Sequence, residues 1–320
     1  MVDTKSHRYS FIKKKEIKHL MNFISKNWKK KHILSTSQKL LKWQHSKNKK
    51  ELNFFAVYLN NQIVSVLGII DLYYTNCKNK KIGLALWCSN KSFKNYGGIL
   101  FKKFLEKSKT KKFIATGLNE LSIKYYKYFK FNIVSFKKFY ICSIKKKQVI
   151  SKNLKYTKPS DTAFIQSVSY INFYNVIKSK CRRKYIKKRY QLHPFYKYMI
   201  IKDKRFSCFL IYRVVKIKKC KFIRVVDFEG SFNKINLGNT LAKYCIDNNF
   251  EHIEFLYFGL YENLIKKSGF NLLDEEKDIM PILTEPYVGL KETNIIIAYK
   301  NLKKISIVKG DVDADRPNSI

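Results

Sequence analysis

The chain has 320 residues, 45% hydrophobic and 15% aromatic, enough apolar surface to fold and about the length of two ordinary domains. With 66 Lys and Arg against 23 Asp and Glu, the formal charge is +43, which selects anionic partners such as nucleic acid, an anionic membrane face or phosphate-bearing small molecules. The lysines are spread through every segment, as A/T-rich codons would spread them, so the charge describes composition more than a docking stripe. The seven cysteines (Cys77, Cys88, Cys142, Cys181, Cys208, Cys220, Cys245) are scattered and never form CxxC, and His193 and His252 have no partners at ligand spacing. Neither a disulfide framework nor a metal site is expected.

Residues 1–33 are peppered with lysine and hold no signal-peptide core, so a cytoplasmic protein is expected. Ile17, Leu20, Met21, Ile24 and Trp28 predict an amphipathic helix, and Ser35 is positioned to cap a second one running to about His45. Asn53–Leu59 and Gln62–Ile70 read as strands joined by Asn60 and Asn61, a hairpin rather than a membrane span. A strand at Ile82–Cys88, a polar loop Ser89–Gly98 ending in two glycines, a helix Ile99–Ser108, a strand Lys112–Thr116, a helix Glu120–Phe129 and a closing strand Asn132–Ser143 follow.

Lys145–Lys158 is a lysine-rich connector, after which the layout repeats. Helices are expected at Ser160–Ser169 and Arg182–Gln191, then strands at Tyr196–Lys202, Phe206–Val215 and Lys221–Phe228. After Gly230 come a helix at Asn236–Asn248, a strand at Ile253–Tyr257, a helix at Tyr261–Ser268 and a last strand at Asn294–Tyr299. Same-order elements of similar size predict a duplication. The expected domains are residues 1–148 and 149–308, with a flexible tail over 309–320.

Leu84–Glu106, LALWCSNKSFKNYGGILFKKFLE, resembles the acyl-CoA motif of the GNAT superfamily: a strand, a loop R/Q-x-x-G-x-G/A and a helix. Glycines there let a diphosphate approach backbone N–H groups at a helix N-terminus. Gly97 as first glycine puts Lys94 at the basic position and Ile99 at the last; Gly98 as last glycine puts Tyr96 at the first. Asn119–Phe131, NELSIKYYKYFKF, resembles the family's N-x-x-A-x-x-L-Y-x-x-x-G-F helix, with Lys130 in place of glycine, and Ser268–Phe270 repeats the G-F ending. RYQLHPFYKY at Arg189–Tyr198, RVVDFEG at Arg224–Gly230 and the late Glu285 and Pro286 are similar to paired GNAT proteins of bacterial surface-polysaccharide and amino-sugar clusters.

The resemblance implies an α+β fold of two tandem GNAT-like domains, each a mixed, mostly antiparallel sheet flanked by helices. It implies an N-acyltransferase that uses acetyl-CoA or another acyl-CoA as cosubstrate and acts on an amino-sugar or nucleotide-sugar amine. Because Gly230 and Gly238 lie too far apart to cradle a diphosphate, the donor is expected in the first domain. The implied donor site is Leu86, Trp87, Cys88, Lys94, Asn95, Tyr96, Gly97, Gly98, Ile99 and Asn119, with Tyr126 both beside the CoA sulfur and as the acid for the departing thiolate; the competing reading is that Tyr125, Tyr126 and Tyr128 simply pack the helix. Glu120, Asp227, Glu229 and His193 are candidate bases, of which Glu120 and Asp227 are favoured; the competing reading of Asp227 is a carboxylate paired with Arg224 or a lysine, and of His193 a turn residue. The rival function is a Fem-like transferase using aminoacyl-tRNA, which would give the basic field a direct role; a non-catalytic polyanion binder would need clustered basic and aromatic residues.

Overall fold

The computed structural model describes residues 7–72, 80–144, 148–160, 164–205, 208–232, 237–282, 287, 289–291 and 293–317, so Cys77, Glu285 and Pro286 lie outside the described residues. The chain divides into two units, residues 1–133 with 297–302 and 316–320, and residues 134–296 with 303–315.

The first sheet draws on β1 (His7–Lys13), β2 (Glu51–Leu59), β3 (Gln62–Leu72), β4 (Lys81–Ser89), β5 (Phe113–Thr116), β6 (Asn132–Ser135) and β14 (Ile296–Lys300), in the spatial order β1-β2-β3-β4-β5-β14-β6. The β2–β3 turn is made by Asn60 and Asn61 at φ of 46° and 61°, positive values that asparagine tolerates and a tight hairpin needs. β1 is an edge strand, and its lysine- and arginine-bearing sequence hides the strand period, which is why the sequence did not reveal it. Helices α1 (Ile17–Asn27), α2 (Ile33–Thr36) and α3 (Gln38–His45) bury Leu20, Ile24, Leu34 and Leu41 on one face of this sheet, with Leu86 and Cys88. The cap of α3 is Ser37, whose hydroxyl accepts from Leu40 N–H at 3.2 Å, and not Ser35. Helices α4 (Asn95–Lys107) and α5 (Glu120–Tyr128) pack on the other face through Leu100, Phe101, Phe104 and Tyr126. Each such side chain contributes about 1.5–3 kcal/mol by leaving water.

The second sheet uses β7 (Lys137–Cys142), β8 (Ile165–Ser167), β9 (Met199–Asp203), β10 (Phe209–Ile217), β11 (Cys220–Glu229), β12 (His252–Gly259) and β13 (Asn271–Leu272), in the order β13-β7-β12-β11-β10-β9-β8, with β15 (Ser306–Val308) added to β12. Its helices are α6 (Tyr170–Val176), α7 (Lys180–Ile186), α8 (Leu237–Asp247) and α9 (Glu262–Lys267). α7 continues as a π-helical turn through Gln191. The expected helix over Ser160–Ser169 is not formed: Ile165–Ser167 is β8, and Ser169 caps α6 by accepting from Asn172 N–H.

Read from β1 and from β8, the two sheets have the same neighbour order, three antiparallel pairs, one parallel pair and a further antiparallel strand. The internal repeat is therefore real, and the fold is α+β with two tandem mixed sheets of one topology. One strand is exchanged between the repeats. The expected closing strand Asn132–Ser143 breaks at Phe136 into β6, in the first sheet, and β7, which pairs with β12 in the second; β14 returns to pair with β5 in the first. Chain continuity alone cannot reveal this, because β7 and β14 take the same place, antiparallel to the second strand of the parallel pair, in their respective sheets. The expected tail is also corrected: Lys309, Asp311, Val312 and Asp315 are each at most 2% exposed. Cys181 is disulfide-bonded, where no disulfide framework was expected.

Candidate donor site

The parallel pair β4–β5 matches Ile82 with Phe113, Gly83 with Ile114 and Leu84 with Ala115. Among the described residues this ladder ends there, while β4 runs on to Ser89. On the other edge of β4, Leu67 faces Trp87 and Gly68 faces Ala85, so Leu86 is an extra residue, a β-bulge. The bulge reverses the side-chain alternation: Leu84 and Trp87 pack toward α4 and α5, Leu86 and Cys88 toward α1–α3. On its β5 edge, pairing is thus withdrawn from residues 85–89 at the point where the strand turns toward α4, while β3 stays paired with Ala85 and with Trp87–Ser89.

A 3-10 turn at Lys91–Phe93 leads into α4, and Gly97 and Gly98 lie in the first turn of this helix rather than in a loop before it. No side chain caps the helix, and its first turn has no acidic residue, while Lys91 and Lys94 stand at its start. Cations at a helix N-terminus oppose the macrodipole, and a bound anion would offset that repulsion. Gly97 is buried: a Cβ there would lie 2.8 Å from Ser89 Oγ and 3.5 Å from Trp87 Nε1. Ser89 Oγ is itself 2.8 Å from Ser65 Oγ. At Gly98 a Cβ would lie 3.3 Å from the Tyr125 ring. Lys94, Asn95 and Ile99 are exposed around this turn, and Tyr96 is half-buried beside Phe93.

Trp87 fills the space next to these glycines. It stacks on Phe101 at 4.6 Å and meets the edges of Tyr125 at 5.3 Å and Tyr126 at 6.0 Å. Tyr126 is buried among Phe101, Phe131 and Trp87, whereas Tyr125 is 36% exposed and reaches the first turn of α4. The sequence offers no signal that separates Tyr125 from the other tyrosines of this helix beyond its place next to Tyr126. Asn119 caps α5 by accepting from Ser122 N–H at 2.8 Å, with Ser122 Oγ returning to Asn119 N–H, so its side-chain oxygen is occupied. Glu120 follows at the exposed first position of that helix. Burial pushes the Cys88 thiol up to about 12, which removes it as a nucleophile.

The second-unit candidates have other work. Asp227 is buried, 2.8 Å from Arg182 Nη2, and accepts from Tyr190 Oη at 3.0 Å and Phe228 N–H at 2.8 Å. Its partner is Arg182 rather than Arg224, which is bidentate to Glu254. Glu229 joins the Arg182 pair at 3.2 Å. His193 Nδ1 accepts from Phe195 and Tyr196 N–H, as a turn histidine does, and burial lowers its pKa to about 3. Gly238 sits in α8, where a Cβ would lie 2.2 Å from the Gly269 carbonyl; the glycine serves close packing of α8 on that turn. Among the described residues no group of three or more His, Cys, Asp or Glu is placed to hold a metal ion.

No protein-family model and no curated protein matches the chain. Solved structures do share its architecture. A conserved protein of unknown function from Enterococcus faecalis, a probable N-acyltransferase, aligns over 91% of this chain and 72% of its own at 12% identity and TM-score 0.53. GCN5-related N-acetyltransferases from Anabaena variabilis (9% identity, 91% and 72% covered) and Kribbella flavida (8%, 93% and 72%) also align at TM-score 0.53. At these identities the likeness is one of fold, and the fold is that of the GCN5-related N-acetyltransferases, present in tandem.

Proposed function

We propose that the chain is an acyl-CoA-dependent N-acyltransferase whose first unit holds the acyl donor, with acetyl-CoA as donor and the amine of an amino sugar or nucleotide sugar of surface-polysaccharide biosynthesis as acceptor. The observation that carries this reading is the parting of β4 from β5 beyond Leu84 and Ala115, beside a bulge and an uncapped helix start bearing two glycines. A thioester lying there meets backbone N–H groups of Leu86–Cys88, and the donor diphosphate meets the first turn of α4 with Lys94. The acceptor rests on the sequence resemblance and on the +43 charge, which draws a nucleotide-linked diphosphate. Among the described residues no helix is long and apolar enough to cross a membrane, and the supply of acyl-CoA and nucleotide sugars makes the cytoplasm the proposed compartment.

In this scheme the amine nitrogen attacks the thioester carbonyl, the C–S bond breaks, and the departing thiolate takes its proton from Tyr126. With the Asp227 carboxylate committed to Arg182, Glu120 at the start of α5 is the proposed acceptor of the amine proton. Positioning by the first unit supplies much of the rate, and no covalent enzyme intermediate is needed.

Thermal-shift assays with acetyl-CoA, a UDP-amino sugar and tRNA test the reading. Acetyl-CoA at a hundred times its Kd stabilises the folded state by about 2.7 kcal/mol and raises Tm. Stabilisation by tRNA with no response to acetyl-CoA would instead select the aminoacyl-tRNA-dependent transfer.

A further inference from the structure

The second sheet repeats the splay of the first. β11 and β12 pair in parallel only at Ile223–Ile253, Arg224–Glu254 and Val225–Phe255. On the β10 side, Ile211 faces Asp227 and Tyr212 faces Val225, which leaves Val226 as the bulged residue. Val226 thus bulges in the strand equivalent to β4, one residue beyond the last parallel pair, where Leu86 lies two beyond it.

This second opening is filled by the chain itself. β15 pairs with β12 through Val308–Tyr257, Ile307–Phe258 and Ser306–Gly259, on the edge of β12 opposite β7. Leu260 N–H donates to the Ile305 carbonyl at 3.0 Å, and Gly310 N–H donates to the carbonyl of the bulged Val226 at 2.9 Å. The inserted segment therefore spans the gap from β12 to β11. The fit admits no side chain at Gly310, where a Cβ would lie 2.5 Å from the Val226 carbonyl and 2.3 Å from Tyr190 Oη.

Buried charges pin the segment. Lys309 Nζ lies 2.8 Å from Glu254, which also receives Arg224. Asp315 receives Arg213 at 2.9 Å and Tyr198 Oη at 2.8 Å, and Arg189 Nε donates to the Gly310 carbonyl. Val312 holds φ of 53°, a strained value for a β-branched residue that persists only where its surroundings dictate it.

We infer that Ile305–Gly310 is a built-in occupant of the second unit's donor groove, taking the backbone partners that an acyl donor would use there, so that the chain binds acyl donor at one groove only. The term donor groove rests on the function proposed above; the insertion itself does not.

Hydrogen exchange on the full chain, with and without acetyl-CoA, separates the two. The amides of Val308, Gly310 and Asp311 exchange as slowly as those of β11, and acetyl-CoA leaves them unchanged. Exchange at the rate of a disordered tail, or deprotection on adding acetyl-CoA, overturns the inference. Absence of any acetyl-CoA response at residues 84–98 would count against the proposed function while the protection of 305–311 is read independently. Gly310→Ala, which cannot fit against Val226 and Tyr190, accelerates exchange across 305–311 about a hundredfold or more; unchanged protection in that variant likewise overturns it.

Discussion

Replacing Asp227 by Asn separates a structural carboxylate from a catalytic one. The substitution keeps the shape and one acceptor oxygen but removes the charge that faces Arg182, a side chain only 4% exposed. Breaking a buried pair by removing one partner costs about 3–5 kcal/mol. The loss sits near the lower end, about 3 kcal/mol, because Glu229 stays 3.2 Å from Arg182 Nε and the Phe228 carbonyl still accepts from Nη2. At about 2–4 °C per kcal/mol for a unit of this size, Tm falls by roughly 6–12 °C. Differential scanning fluorimetry reads that fall, and kcat/KM measured well below the new Tm stays within about threefold of wild type. A general base would behave in the opposite way, with Tm unchanged and the rate down by about 10²–10⁴. That second pattern would refute the assignment of Asp227 to the fold.

Two further outcomes follow from the geometry. Tyr126→Phe lowers kcat by about 10²-fold or more if its hydroxyl protonates the thiolate, while Tyr125→Phe, at the rim beside Gly98, acts mainly on KM for the acyl donor; steady-state kinetics with both variants separates the roles, and an unchanged kcat in Tyr126→Phe removes the proposed acid. His32 and His193 both have pKa values lowered from 6.5 to about 3, by burial first and then by Arg316 and Arg189 respectively. Their neutral forms belong to the folded state, so their contribution is complete above pH 6.5 and is lost as pH falls toward 3, at about 1.4 kcal/mol per pH unit for each. Urea midpoints between pH 7 and 5 show that decline, and His32→Asn, which keeps an acceptor for Leu34 N–H but cannot titrate, roughly halves its slope.

Much of the element order was legible in the sequence. The heptad-like spacing of Ile17, Leu20 and Ile24, the Asn60–Asn61 turn and the apolar, β-rich runs of β2, β3, β10 and β11 all depend on residues a few positions apart, and the structure places them as those patterns require. The sequence also brought Trp87, Gly97, Gly98 and Tyr126 into one region, since a strand, a turn and two helices in succession leave them few other places. It started the helix about one turn too late and so left the glycines in a loop, because the N-terminus of α4 lacks the side-chain cap that ordinarily marks a helix start.

What tertiary structure alone decided are the pairings between distant segments. The exchange of β7 and β14 is one, since equivalent strands can close either sheet and only docking selects between them. The fate of the carboxylates is another: Arg182 reaches Asp227 across 45 positions and Arg213 reaches Asp315 across 102, and burial makes each pairing obligatory once the chain is folded. Residues 309–315 look like part of a polar tail because their charges have no local partners; inside the second unit Lys309 and Asp315 are paired with Glu254 and Arg213, and the segment becomes part of the core. Local sequence records a residue's conformational preferences, whereas the partner of a buried charge is set by whatever the whole chain brings within hydrogen-bonding distance.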